Sequence, residues 1–161
     1  MAGRREGELT SRVADWFGQR IPAAWTSRPA VVDLDRDEIL VLLPLADDVS
    51  PGEFRQRTRD QRIALARTAE ETFGRKVSWG TLGPGARHLF TTVRTPVTSQ
   101  LALPERRVLD TLVAAGVAAD RADAVAWCVR QVGRHEADWL GDLDDGARSA
   151  PGTTAEPPTQ F

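Results

Sequence analysis

Tyrosine is absent from this chain, cysteine, methionine and lysine occur once each, and there are two histidines. Each shortage removes a class of chemistry. A lone Cys128 excludes an intramolecular disulfide and a cysteine-based zinc site. His88 and His135 lie far apart, and His135-Glu136 lacks the second histidine of a zinc-protease helix, so no metal centre is expected. Lys76 stands beside 20 arginines, so nearly every phosphate contact open to the chain is a guanidinium, which can bind bidentately. No apolar run approaches the ~18 residues of a membrane span. The N-terminus lacks the basic, apolar, small-residue order of a secretory leader. These absences lead us to expect a cytoplasmic protein without membrane association. The net charge of −2 rules out a protein coated in positive potential, and any nucleic-acid surface has to be local.

Catalytic signatures are missing as well. No Ser/His/Asp or Cys/His arrangement, paired-carboxylate context or cofactor fingerprint occurs, so a non-enzyme without a cofactor is expected. Gly80-Thr81-Leu82-Gly83-Pro84-Gly85 is glycine-rich, yet it lacks the Lys-Ser/Thr ending of a phosphate loop and reads as a hairpin turn. Asp33, Asp35, Asp37 and Glu38 crowd a turn without the Gly and terminal Glu of a calcium loop. They read as a soluble turn.

What is present is a core-forming composition: 161 residues, 41 % hydrophobic, with five tryptophans. That suits one domain or a small domain with an appendix. Residues 1–8 read as frayed, and Thr10 or Ser11 can cap a helix with Leu9, Val13, Trp16 and Phe17 on one face. Ala30–Leu34 and Glu38–Leu43, split by Asp35-Arg36-Asp37, read as a hairpin. Ile39–Leu43 is apolar at every position, as in a strand covered on both faces. Ser50-Pro51-Gly52-Glu53 opens a long helix that Gly74 stops after Phe73. Lys76–Thr81 and Arg87–Arg94 form a second hairpin. The expected fold is α+β: antiparallel β-hairpins with packed helices over residues 1–95 (α-β-β-α-β-β). A strand-helix-helix unit follows over 96–143, and a disordered, Gly-, Pro- and acid-rich tail over 144–161.

In the segment from Thr98 to Val132, TSQLALPERRVLDTLVAAGVAADRADAVAWCVRQV, the alternation of Val97–Leu103 predicts a strand. Pro104-Glu105 opens a helix with Val108, Leu109, Leu112 and Val113 on its buried stripe. Gly116 ends it, and Asp120 caps a second helix buried along Val125, Cys128, Val129 and Val132. The order strand, Leu-Pro-Glu, helix, Gly turn, helix resembles a ribbon-helix-helix DNA-binding unit. That resemblance covers about a fifth of the chain. It implies a homodimer whose paired strands enter the major groove, with Thr98, Gln100 and Ala102 at base edges. Arg94, Arg106, Arg107 and Arg121 would meet phosphates. The match departs from the family at Asp120, a carboxylate where a Ser or Thr is usual, and at Pro96.

More widely, WFGQRIPAAW, RTRDQRIALARTAEETFGRKVSWG and VLDTLVAAGVAADRADAVAWCV are similar to a group of small actinobacterial proteins of unknown function. That resemblance spans most of the chain and implies no activity.

Two further features bear on partners. Arg55, Arg59 and Arg62 share a helix face by spacing and could bind phosphate or a protein partner; alternatively the face is solvated and laced by Glu53–Arg57 and Arg67–Glu71 pairs. Trp127 projects beside Cys128, off the buried stripe, and is the best-placed aromatic for a partner contact. The sequence therefore supports a dimeric DNA-binding transcriptional regulator, with a protein–protein interaction or dimerisation module as the alternative. The near-neutral charge favours the alternative.

Overall fold

The computed structural model describes residues 2–83 and 86–149. These fall in two compact units, one of Arg5–Pro96 and one that takes in the chain from Val97 onward.

The N-terminal unit opens with helix α1, Ala2–Gly18. The helix begins earlier than its capping residues suggest: the Ser11 hydroxyl bonds the Gly7 carbonyl inside the helix and does not cap it. After a 3-10 turn at Ala23–Trp25 come strands β1, Val31–Leu34, and β2, Glu38–Pro44. Helices α2, Pro51–Arg57, and α3, Arg59–Phe73, carry the chain to β3, Lys76–Gly83, and β4, Ala86–Leu89. The strands form one four-stranded sheet in the order β1-β2-β3-β4. Both hairpins are antiparallel, but β2 and β3 pair in parallel, from Glu38↔Lys76 to Pro44↔Leu82. The sheet is thus mixed, not a set of antiparallel hairpins alone. The cause is the connection: helices between β2 and β3 return the chain to the same end of the sheet, as a crossover must. The unbroken apolar run of β2 suits its central place, with Ile39 and Val41 through Leu45 buried.

The single long helix expected over 51–73 is broken at Thr58, whose φ of −100° and ψ of 2° lie off the helical values. Beyond the break the chain runs to Gly74, which stops α3 in the left-handed region at φ 67°. One face of the sheet supports the core. Val13 and Phe17 of α1, Phe54 of α2 and Ala69 of α3 meet Ile39, Val41, Leu43, Val77 and Trp79. Aromatic edges fill the layer: Phe17 against Trp79 at 5.6 Å and Trp25 against Phe54 at 5.9 Å, both nearly perpendicular.

In the C-terminal unit the structure corrects the expected strand. Residues 91–102 hold neither helix nor paired strand. A strand exists only as one side of a ladder, and no described strand lies beside Val97–Leu103 to pair with it. Helix α4, Leu103–Ala114, starts with Pro104 in its first turn; α5, Arg121–His135, is capped by Asp120. A third helix, α6, runs from Ala137 to Ser149, so Asp144–Ser149 is helical where a disordered tail was expected. The remainder of that tail, 150–161, lies outside the described residues.

Candidate interaction surface

Helices α4 and α5 of the C-terminal unit enclose very little. Among the described residues its buried cluster is Leu109, Ala118 and Ala124, with Leu101, Leu112, Val113, Val125 and Cys128 packed on it in part. Around this small centre Leu103, Val108, Val117 and Val129 stay between 44 and 66 % exposed, and Val97 reaches 84 %. Three enclosed residues, with five packed on them in part, are a small apolar centre for this unit. Val108 and Val129, which the helical period assigns to buried stripes, lie on the outside of the unit.

The residues expected to touch DNA do not share one state. Thr98, Gln100 and Ala102 are all exposed, and Ala102 has extended backbone, φ −75° and ψ 178°. Arg107 is exposed on α4. Arg106 is turned inward along its own helix start, Nη1 donating to the Leu101 carbonyl at 2.6 Å. Arg121 is committed: Nε and Nη2 donate to the two carboxylate oxygens of Asp110, both at 2.7 Å. That bidentate pair holds the Asp110 carboxyl below its usual value and Arg121 above its own, the hydrogen bond being the main cause in each. Arg94 is exposed in the N-terminal unit. The start of α5, which the resemblance turns toward phosphate, is occupied by its own residues. Asp120 Oδ1 accepts the Asp123 amide at 2.8 Å, and Asp123 Oδ2 accepts the Ala119 amide at 3.1 Å. This resembles a capping box, except that the Asp123 carboxylate reaches the amide before the cap and not that of Asp120 itself. Trp127 is half-buried on α5.

The arginine face of the N-terminal unit is also split. Arg55 and Arg59 are exposed, whereas Arg62 is only 5 % exposed. Its Nε donates to Thr58 Oγ1 at 2.9 Å and its Nη2 to the Arg55 carbonyl at 2.7 Å. The Thr58 hydroxyl in turn donates to the Phe54 carbonyl at 2.7 Å. Arg62 thus ties the Arg55 carbonyl and the Thr58 hydroxyl together at the α2–α3 break, a role that helical spacing does not reveal. Burial first, then the charges of Arg55 and Arg59, lower its pKa; a guanidinium stays charged all the same. The Glu53–Arg57 and Arg67–Glu71 pairs do not form among the described residues; Arg59 meets Asp60 at 3.6 Å with both side chains mostly in solvent.

The other candidates resolve locally. Asp35 accepts the amides of Asp37 and Glu38 and closes the β1–β2 turn. No group of three or more His, Cys, Asp or Glu among the described residues could hold a metal ion. Among the described residues, one shallow pocket of about 180 Å³ lies beside Asp33, Asp35 and Glu38 and another of about 110 Å³ beside Trp25, Ser27 and Arg57. Both are smaller than the ~300–1,000 Å³ of typical ligand sites. No described helix is long and apolar enough to cross a membrane.

Comparison with known proteins follows the same two-part division. Residues 11–89 match the family described as Rv1265-like protein, N-terminal domain, and residues 102–150 match the Mb1296 C-terminal domain. Thr98 and Gln100 fall between the two matched regions. The uncharacterized proteins Mb1296 of Mycobacterium bovis and Rv1265 of Mycobacterium tuberculosis are each 44 % identical to this chain over 145 residues. The match covers 83 % of this chain and 64 % of each relative, so the chain spans less than two thirds of the curated relatives it matches. No solved structure matches. With both domains present in this order and near half of the aligned residues identical, the chain belongs to the Rv1265/Mb1296 family of uncharacterised mycobacterial proteins.

Proposed function

We propose that this chain is a non-enzymatic interaction protein that works as a homodimer through its C-terminal unit. One observation carries the proposal: Leu109, Ala118 and Ala124 are enclosed while Leu103, Val108, Val117 and Val129 remain open on α4, α5 and the turn between them. Small units that leave this much apolar surface open are commonly completed by oligomerisation or by staples, and its single thiol supplies none. A second copy is the partner that fits. The alternating segment Val97–Leu103 has no strand beside it within the described chain, and the same segment of another copy offers the matching edge. Two paired segments would put Val97, Leu101 and Leu103 over the joined helices. Sedimentation velocity tests this directly. A dimer at micromolar concentration that Val129→Glu converts to monomer supports the proposal; a wild-type monomer throughout that range sinks it.

A second reading rests on the exposure of Thr98, Gln100 and Ala102. In a paired ribbon these three would form the outward face, and the Gln100 amide and Ala102 methyl suit adenine and thymine edges. Arg94, Arg106 and Arg107 would then approach phosphates. Against it stand the Arg121–Asp110 pair and the self-capped start of α5. Selection of genomic fragments at physiological salt decides the point. A short two-fold symmetric motif, with preference at one base pair relaxed by about 1–3 kcal/mol in Gln100→Ala, supports DNA reading. A folded dimer that enriches nothing leaves a protein partner.

A further inference from the structure

An enclosed cation without a counter-ion is costly, and Arg62 is in that position. It is 5 % exposed, and no carboxylate among the described residues lies within salt-bridge reach of it or of Arg55. A guanidinium carries five N–H donors. Arg62 spends one at Nε on Thr58 Oγ1 and one at Nη2 on the Arg55 carbonyl. The rest have no acceptor among the described residues. Nη1 is not one of the fully enclosed polar atoms that lack partners, so it keeps some contact with solvent.

Two exposed cations stand around it. Arg55 and Arg62 hold their guanidinium carbons 5.8 and 4.8 Å from the centre of the Phe90 ring. Arg59, at the start of α3 beyond the Thr58 break, is near enough for its charge to act on Arg62, while its own Nη1 meets the exposed Asp60 carboxylate at 3.6 Å. Bracing the α2–α3 break accounts for Arg62 alone. It does not account for the two like charges beside it, which repel one another and raise the cost of enclosing Arg62.

We infer that Arg55, Arg59 and Arg62 form an oxyanion site that takes a phosphate group. Arg55 and Arg59 close on the anion from solvent, and Arg62 Nη1 meets it from below, beside Phe90. A carboxylate brings one charge and two oxygens, which a single fork satisfies. Three guanidiniums suit the higher charge and extra oxygens of a phosphate. A nucleic-acid backbone needs a row of cations that follows successive phosphates; here Arg55 and Arg62 converge on one ring with the charge of Arg59 close by, so the ligand is a small molecule or a terminal phosphate.

The test uses the full chain with arginine side chains labelled in nitrogen-15, titrated with inorganic phosphate against chloride at equal ionic strength. Saturable movement of the Arg62 and Arg59 Nε signals with phosphate and not with chloride is expected. Arg55→Gln and Arg59→Ala should each weaken the response about tenfold while the amide spectrum stays that of the folded protein. Arg62 is left in place, since its loss opens the helix break. Arg134→Ala, in the other unit, should leave the titration unchanged. Signals that follow ionic strength alone, or variants that bind phosphate as the wild type does, overturn the site. So does a response to a DNA oligonucleotide with none to phosphate.

Discussion

Asp35 concentrates two hydrogen bonds on one atom: Oδ1 accepts the Asp37 and Glu38 amides, each at 2.8 Å. The bond from Asp37, then that from Glu38, holds its carboxyl below the usual value of 3.8. The unfolded chain therefore binds this proton more readily than the folded one. The stabilisation is complete above 3.8 and is lost as pH falls through the lower folded value. Asp35→Ala should cost about 1 kcal/mol at neutral pH and flatten part of the acid limb. Asp35→Asn, which keeps the acceptor oxygen, should retain most of the stability without the acid dependence. Urea denaturation at pH 7 and pH 3 separates the two; equal acid sensitivity in wild type and Asn variant would remove Asp35 from the account.

Among the elements, β3 is the most constrained, and Gly80 is the reason. A Cβ there would sit 2.8 Å from the His88 carbonyl oxygen and 2.9 Å from Leu42 Cδ2. Leu42 and Leu89, the register partners of Gly80, close over the bare backbone. Gly80→Ala should destabilise the N-terminal unit by about 1–3 kcal/mol through overpacking, read as a lower denaturation midpoint with the slope unchanged. An unaltered midpoint would mean that β4 yields freely. The elements of this unit were largely legible because their signals are local: Pro51 and Glu53 at a helix start, Gly74 at its end, Asp35-Arg36-Asp37 at a turn. The parallel pairing of β2 with β3 was not, since no local residue states which strand a crossover returns to. Nor was the break at Thr58, where a buried hydroxyl serves Arg62 and the helix spacing continues regardless. The strand at Val97–Leu103 was read from alternation alone, and alternation supplies no partner. Helix α6 hid behind three aspartates and two glycines between Trp139 and Arg148. Of the candidate site residues, exposure at Thr98, Gln100 and Ala102 follows from their polar or small character; the capture of Arg121 by Asp110 depends on two helices meeting.

At the scale of the molecule, the two units differ in how much they enclose. The N-terminal core joins three helices to strands β1, β2 and β3 around Phe17, Phe54 and Trp79, while the C-terminal cluster is three residues. Heating should therefore give two transitions. If the C-terminal unit is dimeric, its midpoint rises with protein concentration while the N-terminal one stays fixed. Calorimetry at two concentrations tenfold apart reads this, with fluorescence at Trp139→Phe helping to assign the second transition. Two concentration-independent midpoints would contradict dimerisation.

The parallel seam at the centre of the sheet also sets the order of assembly. The β1–β2 and β3–β4 hairpins join near neighbours and form in ~1–10 μs when isolated. The seam between them joins residues as distant as Glu38 and Lys76, and the loop it closes must lose its freedom before any contact repays it. Collapse of β2 onto β3 is thus the late, rate-setting event. Trimming Ile39 or Val77 should slow folding, and trimming Val31 or Leu89 at the rims should mainly hasten unfolding.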